Sequence, residues 1–179
     1  MSDCIAVYVG LGSNMGNPEK NLERALDMLP LPSVDGHDSF PGVAEPLQVR
    51  HVSSVFRTAP QDYVDQPFFY NQVVGLWCAV GVLPQQLLAH LQAIEKALGR
   101  EPTTLRFGPR VIDLDLLLFG ASQIATPTLE VPHPRMAQRA FVLVPLAEVA
   151  PDLLLPSGMT VRTARDTLAY TLDNQIIVQ

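Results

Sequence analysis

The sequence predicts an α+β fold in which a βαββαβ core forms a mainly antiparallel sheet with helices packed on it. Four apolar runs of strand length, rich in β-branched and aromatic residues, are the first observation behind this prediction. The second is a pair of segments with helical periodicity, one between the first and second runs and one between the third and fourth. Because this is the order of the split βαβ motif, we expect a ferredoxin-like core followed by extra C-terminal helices.

The composition fits a globular enzyme, and the 179 residues are expected to form one domain with its own core. The net charge of −6 argues against a nucleic-acid partner, yet six of the 12 basic residues fall between positions 96 and 139. We therefore expect a small anionic ligand. The N-terminus has no signal-like pattern and no apolar run is long enough to span a membrane. A cytoplasmic monomer that contacts no membrane is expected.

The first half of the chain holds two of the strands and the first helix. Residues 4–11 are an apolar strand that ends in a glycine-rich turn, and residues 47–58 are a second strand whose uneven alternation allows a bulge. Between them, Asn17 and Pro18 are a typical N-cap and first helical residue. The segment 30–51, which carries several prolines and glycines, is predicted to be a long surface loop that reaches the second strand.

The second half repeats this alternation of strand and helix. Residues 69–82 are a third strand, and residues 112–119 are the fourth. Between them, an amphipathic helix begins at Pro84 and ends at a glycine. A further helix is predicted to begin at residue 144 or 145. The C-terminal extension 151–179 is predicted to add one more helix and a terminal strand to the same domain.

Two carboxylates interrupt the apolar character of the fourth strand. Side chains two apart share one face of a strand, so Asp113 and Asp115 are expected side by side, about 6–7 Å apart at their bases. The even-numbered apolar residues in 112–118 would then face the core. Two like charges this close repel each other unless a counter-charge lies between them. Mg²⁺ is a suitable counter-charge, because it prefers hard oxygen ligands such as carboxylates. With Arg106 and Arg110 just upstream, the pattern indicates a bound polyphosphate, although a solvated edge strand stays an alternative.

Five sequence blocks carry a resemblance to a known family. They are, in order, GLGSNMGNP at 10–18, VSSVFRTAP at 52–60, DQPFFYNQV at 65–73, GPRVIDLDLLLFG at 108–120 and VPHPRMAQRAFVLVPLAEVAPDL at 131–153. Together they resemble the 6-hydroxymethyl-7,8-dihydropterin pyrophosphokinases of folate biosynthesis, over most of residues 4–155. The resemblance implies a ferredoxin-like enzyme that transfers pyrophosphate from ATP to the hydroxymethyl group of the dihydropterin and releases AMP.

The resemblance implies roles for the charged residues. Asp113 and Asp115 match the family's Mg²⁺ ligands, with two ions expected to bridge the phosphates of ATP. Arg100 and Arg110 match arginines that contact those phosphates, and they complete the implied catalytic set with the two carboxylates. Other positions match residues on the nucleotide side of the site, and they are Gln92, Glu95, Arg106, His133 and Arg139.

The resemblance also implies a pterin pocket. Phe69 and Phe141 match an aromatic pair suited to hold a flat bicycle, and Asn71 offers a donor and an acceptor to its amide edge. The other matching positions are Gly12, Thr58 and Phe107.

Three positions depart from the commonest family pattern. Phe107 stands where many members have tryptophan, Phe69 where tyrosine is frequent, and Pro102 where some carry another arginine. The carboxylates and the matching arginines are retained, so we expect an active enzyme.

Two other functions stay open at this point. A nucleotidyltransferase could combine a Gly-Ser turn with paired carboxylates, but Gly12 and Asp113 are about 100 residues apart, too far for one βαβ-sized unit. A non-catalytic ferredoxin-like ligand-binding module is the second alternative, and it would not need two carboxylates beside arginines.

Overall fold

The structure is a computed structural model that describes residues 4–30, 47–60, 65–101 and 108–179. Its helices are α1 (Pro18–Met28), α2 (Pro84–Ala97), α3 (Ala140–Val149) and α4 (Val161–Asp166), with a short 3-10 turn at Met136–Gln138. Its strands are β1 (Cys4–Ser13), β2 (Leu47–Val52), β3 (Phe56–Thr58), β4 (Phe69–Ala79), β5 (Asp113–Phe119), β6 (Ile124–Ala125), β7 (Glu130–Val131), β8 (Thr171–Asp173) and β9 (Ile176–Val178).

Seven of these strands form one sheet, while β6 and β7 pair with each other. The order in the sheet is β5-β1-β4-β3-β9-β8, and β2 also pairs with β4. The pairings in the sheet are antiparallel except that of β9 with β3, which is parallel. The α+β class is therefore confirmed, and the sheet is mixed.

Helices cover both faces of the sheet. Buried leucines of α1 and α2, such as Leu22 and Leu91, pack with Val9 and Leu76 in the largest core cluster. On the opposite face, α3 and α4 pack against β4 and β5 through a second cluster that includes Leu143. In the ranges that the structure describes, no helix has both the length and the apolar character needed to cross a membrane.

Helix α1 begins as the sequence predicts. The Oδ1 atom of Asn17 accepts a hydrogen bond from the backbone N–H of Lys20 at 3.1 Å, and Pro18 is the first helical residue. Strand β1, in contrast, is longer than the predicted 4–11. Gly12 and Ser13 continue it because they pair with Asn71 and Tyr70 of β4.

The predicted strand over 47–58 is in fact two strands, β2 and β3, which both pair with β4. Between them, the N–H of Ser54 donates to the Oε2 atom of Glu148 on α3 at 2.7 Å and not to a neighbouring strand. The long loop predicted over 30–51 is shorter at its C-terminal end, because residues 47–51 belong to β2. The rest of that loop, residues 31–46, lies outside the described residues.

Strand β5 contains a bulge that changes the face on which one predicted core residue, Leu118, is buried. Val9 of β1 pairs with Leu116 and Tyr8 with Leu118, so Leu117 is an extra residue on β5. Beyond it the faces exchange, and Leu118 packs in the cluster under α3, on the face opposite to Leu116. The two aspartates precede the bulge, so their shared face is unaffected.

Helix α3 begins at Ala140, before the predicted start at residue 144 or 145, and it contains Pro145. The predicted start is wrong: proline favours the first turn of a helix, but Pro145 lies inside α3. Most of residues 140–147 are buried, and this burial outweighs the one backbone donor that a proline removes. The C-terminal extension forms α4 and the hairpin β8–β9, of which β9 joins the main sheet.

Candidate active site

A cavity of about 180 Å³ lies where β1, β3, β4 and β5 meet the N-terminal end of α3. Its lining includes most of the residues that the sequence singled out, although they are up to about 130 positions apart in the chain. They are Gly12, Thr58, Phe69, Asn71, Arg110, Asp113, Asp115, His133, Arg139 and Phe141.

The two aspartates form an acidic wall of this cavity. Asp115 pairs with Gly10 of β1 and Asp113 with Gly12, so neither neighbour on β1 has a side chain that could cover a carboxylate. Asp113 is held by two arginines. Its Oδ1 lies 2.8 Å from Nη1 of Arg100, and its Oδ2 lies 2.5 Å from Nη1 of Arg110. Cations and carboxylates therefore alternate along this wall.

Arg100 forms an ion pair with Glu95 of α2. Glu95 does not itself line the cavity. Glu95 is only 7% exposed, and its carboxylate forms an ion pair with Arg100. It also accepts a hydrogen bond of 2.7 Å from the backbone N–H of Leu114, which lies between the two aspartates. Burial raises the pKa of Glu95, and the Leu114 N–H and Arg100 oppose that rise. Glu95 thus connects Arg100 to the acidic strand.

Asp115 has less compensation than Asp113. Burial, and then the neighbouring charge of Asp113, raise the pKa of Asp115 to about 7, while Arg139 and Arg110 lower it less. The two arginines therefore offset the effects of burial and of Asp113 only in part. A cation placed beside it would lower its pKa and complete the charge balance of the wall.

His133 faces the cavity as a neutral imidazole. Burial, followed by the charges of Arg139 and Arg135, lowers the pKa of His133 to about 4. Its Nδ1 atom accepts a hydrogen bond of 3.2 Å from the backbone N–H of Arg135, so the proton of the neutral ring is on Nε2. His133 can therefore donate a hydrogen bond from Nε2 without carrying charge.

The opposite part of the cavity is aromatic and amide-bearing. Asn71 is 7% exposed, and its Nδ2 atom donates to Oγ1 of Thr58 at 2.7 Å. Phe69 comes from β4 and Phe141 from α3, so the two rings approach the cavity from different elements. The guanidinium carbon of Arg139 lies 5.2 Å from the centre of the Phe141 ring. This end suits a flat, polar-edged ring system.

Asn14, which the sequence did not single out, holds the loops around the cavity. Its Oδ1 accepts from the N–H of Arg110 at 2.8 Å, and its own N–H donates to the carbonyl of Arg110 at 3.1 Å. Its Nδ2 atom donates to Oε1 of Gln66 at 3.0 Å and to the carbonyl of Pro67 at 3.2 Å. Asn14 thereby joins three segments that are far apart in sequence, which no local pattern indicates.

Other lining residues had a weak signal in the sequence. Arg135 belongs to the group of basic residues between positions 96 and 139, and it lines the cavity beside His133. Gly10 precedes Gly12 by two and therefore shares its face of β1. Gln72 has no such signal, since it alternates with Asn71 and belongs by pattern to the opposite face of β4.

Some predicted site residues are not brought to the cavity in the described part of the chain. Gln92 is exposed on α2 and does not line it, and Arg100 reaches it only through Asp113. Arg106 and Phe107, together with the departure at Pro102, lie outside the described residues.

Comparison with known proteins gives a consistent result. A family model described as 7,8-dihydro-6-hydroxymethylpterin-pyrophosphokinase (HPPK) matches residues 8–151. The 2-amino-4-hydroxy-6-hydroxymethyldihydropteridine pyrophosphokinase of Pseudomonas aeruginosa is 44% identical over 152 residues, which cover 85% of this chain and 85% of that protein. The Bacillus subtilis protein of the same name is 42% identical over 142 residues, covering 79% of this chain and 76% of that one.

A solved structure extends the comparison to the fold. The crystal structure of wild-type Plasmodium falciparum HPPK-DHPS with pterin and p-hydroxybenzoate matches with a TM-score of 0.63 at 13% identity. The match covers 92% of this chain and 42% of the Plasmodium chain, and at this identity it shows a shared fold alone. With the family model matching most of the chain and the bacterial relatives above 40% identity, the chain belongs to the 7,8-dihydro-6-hydroxymethylpterin-pyrophosphokinase family.

Proposed function

We propose that the chain transfers pyrophosphate from ATP to the hydroxymethyl group of 6-hydroxymethyl-7,8-dihydropterin, giving the pterin diphosphate and AMP, in folate biosynthesis. The observation that carries this proposal is one cavity with two unlike ends, an arginine-bound carboxylate wall and an aromatic, amide-bearing pocket. A donor nucleotide and a flat acceptor need these two environments within bonding distance of each other. The pyrophosphokinase relatives support the same reaction.

Magnesium is part of the proposal, and the residues present fit it. Mg²⁺ is commonly held by one or two carboxylates together with substrate phosphates. Asp113 and Asp115 offer those carboxylates on one face, and a bound cation would offset the burial and like charge that raise the pKa of Asp115. Among the residues described, no cluster of three or more His, Cys, Asp and Glu side chains could hold a metal ion, so further ligands would come from ATP and water. We propose two bound ions.

The charged residues would then orient the phosphates. When bound, Mg²⁺ would supply charge neutralisation and polarise the phosphorus under attack. Arg110 and Arg139 line the cavity and can bind phosphate oxygens, while Arg100, fixed by Glu95, holds Asp113 in place. His133 can donate from Nε2 to the nucleotide. Because phosphoryl transfer depends mainly on positioning and charge stabilisation, these residues can act without a strong general base.

The pterin would occupy the other end of the cavity. Phe69 and Phe141 can stack on its two faces, and Asn71, oriented by Thr58, can hydrogen-bond its amide edge. Gly12 lets the ring approach the backbone of β1. We extend the proposal to Gln92, Arg106 and Phe107 as further contacts of ATP or pterin, on the family resemblance alone.

The ferredoxin-like core is also proposed. The order β5-β1-β4-β3 of the central strands, with α1 and α2 on one face, supports it. On this account, β9 and β8 are an addition at one edge of the core.

The test of the function is product analysis with Mg-ATP and 6-hydroxymethyl-7,8-dihydropterin. We expect AMP and a pterin diphosphate in equal amounts, and no AMP when the pterin is omitted. A non-catalytic binding module would bind the ligands and leave ATP intact. A nucleotidyltransferase would release inorganic pyrophosphate in place of AMP.

Gly12→Ala should selectively weaken pterin binding. A Cβ atom at Gly12 would lie 3.1 Å from Oδ1 of Asn71, so the amide would have to move. Overpacking of this kind costs about 1–3 kcal/mol, and we expect the KM for the pterin to rise about tenfold or more. Gly10→Ala is the matched comparison for pterin binding, because its Cβ would meet Leu117 at an ordinary 3.6 Å and Gly10 pairs with Asp115 on the metal side, so the KM for the pterin should rise less. Equal effects of the two variants in steady-state kinetics would contradict this role of Gly12.

Titration of His133 should not contribute to the pH dependence of kcat/KM. Because its pKa is lowered to about 4, the ring stays neutral at every pH well above that value. We expect His133→Asn to lower kcat/KM about tenfold through one lost hydrogen bond, without changing the shape of the profile between about pH 5.5 and 8. An inflection near the ordinary histidine pKa that disappears in the variant would show that His133 is charged during turnover.

A further inference from the structure

The hairpin β8–β9 lies outside the part of the chain that the family model matches, which ends at residue 151. Its turn places Asn174 and Gln175 at φ of 45° and 63°, the pair of positive values that a tight two-residue hairpin turn requires. The hairpin is therefore a defined structural element, and its strand β9 adds to the main sheet beside β3.

The first contact of the hairpin is with the strand that carries Thr58. Thr58 pairs with Ile177 of β9, and the N–H of Arg57 donates to the carbonyl of Gln175 at 2.8 Å. Thr58 accepts the hydrogen bond that orients Asn71 in the cavity. The position of β9 thus helps to fix the wall formed by β3 and β4.

The second contact is with the start of α3, the opposite wall. The Oε1 atom of Gln179 accepts from the N–H of Ala140 at 2.8 Å, and its Nε2 atom donates to the carbonyl of Gln138 at 2.9 Å. These two bonds flank Arg139, whose own side chain does not cap the helix. Gln179 therefore supplies a partner to the first N–H of α3 and holds the turn from which Arg139 and Phe141 enter the cavity.

An apolar contact joins the two walls between these hydrogen bonds. Ile177, which is 2% exposed, packs in a small cluster with Phe56 of β3 and with Ala140 and Val144 of α3. One short strand therefore contacts both β3 and α3. We propose that residues 171–179 form a strap that sets the separation of the two walls of the pterin pocket, with Gln179 as a positioning residue for the pterin. This inference rests on the proposed function.

The strap can be tested by titrating the full chain with 6-hydroxymethylpterin, followed by its fluorescence, in the presence of magnesium and a non-hydrolysable ATP analogue. We expect Gln179→Ala to weaken pterin binding about three- to tenfold, as for the loss of a hydrogen bond, and to change binding of the ATP analogue less than about twofold. Amide hydrogen exchange at Ala140 should become faster. Gln179→Glu keeps an acceptor for that N–H but cannot donate to the carbonyl of Gln138, so it should restore only part of the pterin affinity.

Val178→Ala is the matched control, since Val178 is the residue next to Gln179, at the end of β9, and is 51% exposed. It should change neither affinity. The strap would be contradicted if Gln179→Ala left pterin binding unchanged, weakened both ligands equally, or behaved like Val178→Ala. Release of AMP by the unmodified protein is measured separately. If pterin binds but no AMP forms, the proposed function fails while the strap is still judged by the titration, and if pterin does not bind, both fail.

Discussion

Asp115→Ala should reduce turnover about a thousandfold, in the range found when one group that stabilises transition-state charge is removed. Asp115 lies in the cavity beside Asp113, and burial and the charge of Asp113 raise its pKa to about 7. Removing it takes away one proposed metal ligand while leaving the apolar positions of β5 intact. Steady-state kinetics with Mg-ATP and the pterin measure the loss. Asp27→Ala, an exposed aspartate on α1, is the control and should retain full activity.

Asp115 also predicts how stability depends on pH. Its pKa in the folded protein is about 7, above the ordinary value of 3.8, so folding favours the protonated form. Ionisation of Asp115 should therefore lower the free energy of unfolding of the metal-free protein as the pH rises from 3.8 to about 7. Asp115→Asn removes this loss, and we expect it to raise the Tm of the metal-free protein at alkaline pH by roughly 2–6 °C, equivalent to about 1–2 kcal/mol.

Magnesium provides the matching control for that measurement. Added Mg²⁺ should stabilise the unmodified protein at alkaline pH and have a weaker effect on Asp115→Asn. A thermal denaturation series across pH, with and without Mg²⁺, gives both comparisons. If Asp115→Asn were less stable than the unmodified protein at alkaline pH, the charged form of Asp115 would be stabilising, contrary to our interpretation.

Arg110→Ala should produce the second large effect, a decrease in kcat of about 10²–10³-fold with a smaller rise in the KM for ATP. Arg110 lines the cavity and lies 2.5 Å from Asp113, so its removal takes a partner from a carboxylate and a cation from the proposed phosphate site. The backbone of Arg110 is hydrogen-bonded to Asn14, so the loop should keep its conformation in the variant.

Arg110→Lys separates charge from geometry. Lysine keeps the positive charge but loses the planar fork that binds two oxygens at once, so we expect only partial recovery of kcat. Arg162→Ala, at an exposed ion pair with Asp152, is the control and should be fully active. Full recovery with lysine would mean that charge alone accounts for the contribution of Arg110.

The sequence predicted those parts of the site that depend on local periodicity. Asp113 and Asp115 share a face because they are two apart on a strand, and the bulge at Leu117 comes after them. The face on which Leu118 lies could not be predicted. A bulge depends on how the strand pairs with its neighbour, and a run of leucines contains no pattern that indicates one.

Features that depend on tertiary contacts could not be predicted from the sequence. Glu95 looks like an ordinary helix surface residue, and its anchoring of Arg100 exists only because α2 packs beside β5. The same holds for Asn14, whose partners come from two distant segments, and for Gln179, which contacts α3 about 40 positions away. Their partners are brought together by the sheet, so a pattern within one segment cannot reveal them.

Transfer of pyrophosphate, as proposed, requires that the hydroxymethyl group of the pterin attack the β-phosphorus of ATP, and isotope tracing tests this most directly. The protein is incubated with Mg²⁺, 6-hydroxymethyl-7,8-dihydropterin and ATP labelled with ³²P in either the α or the γ position. The γ label should appear in the pterin product and the α label in AMP, with no labelled ADP. Transfer of the α label to the pterin, or formation of ADP with a pterin monophosphate, would contradict the account.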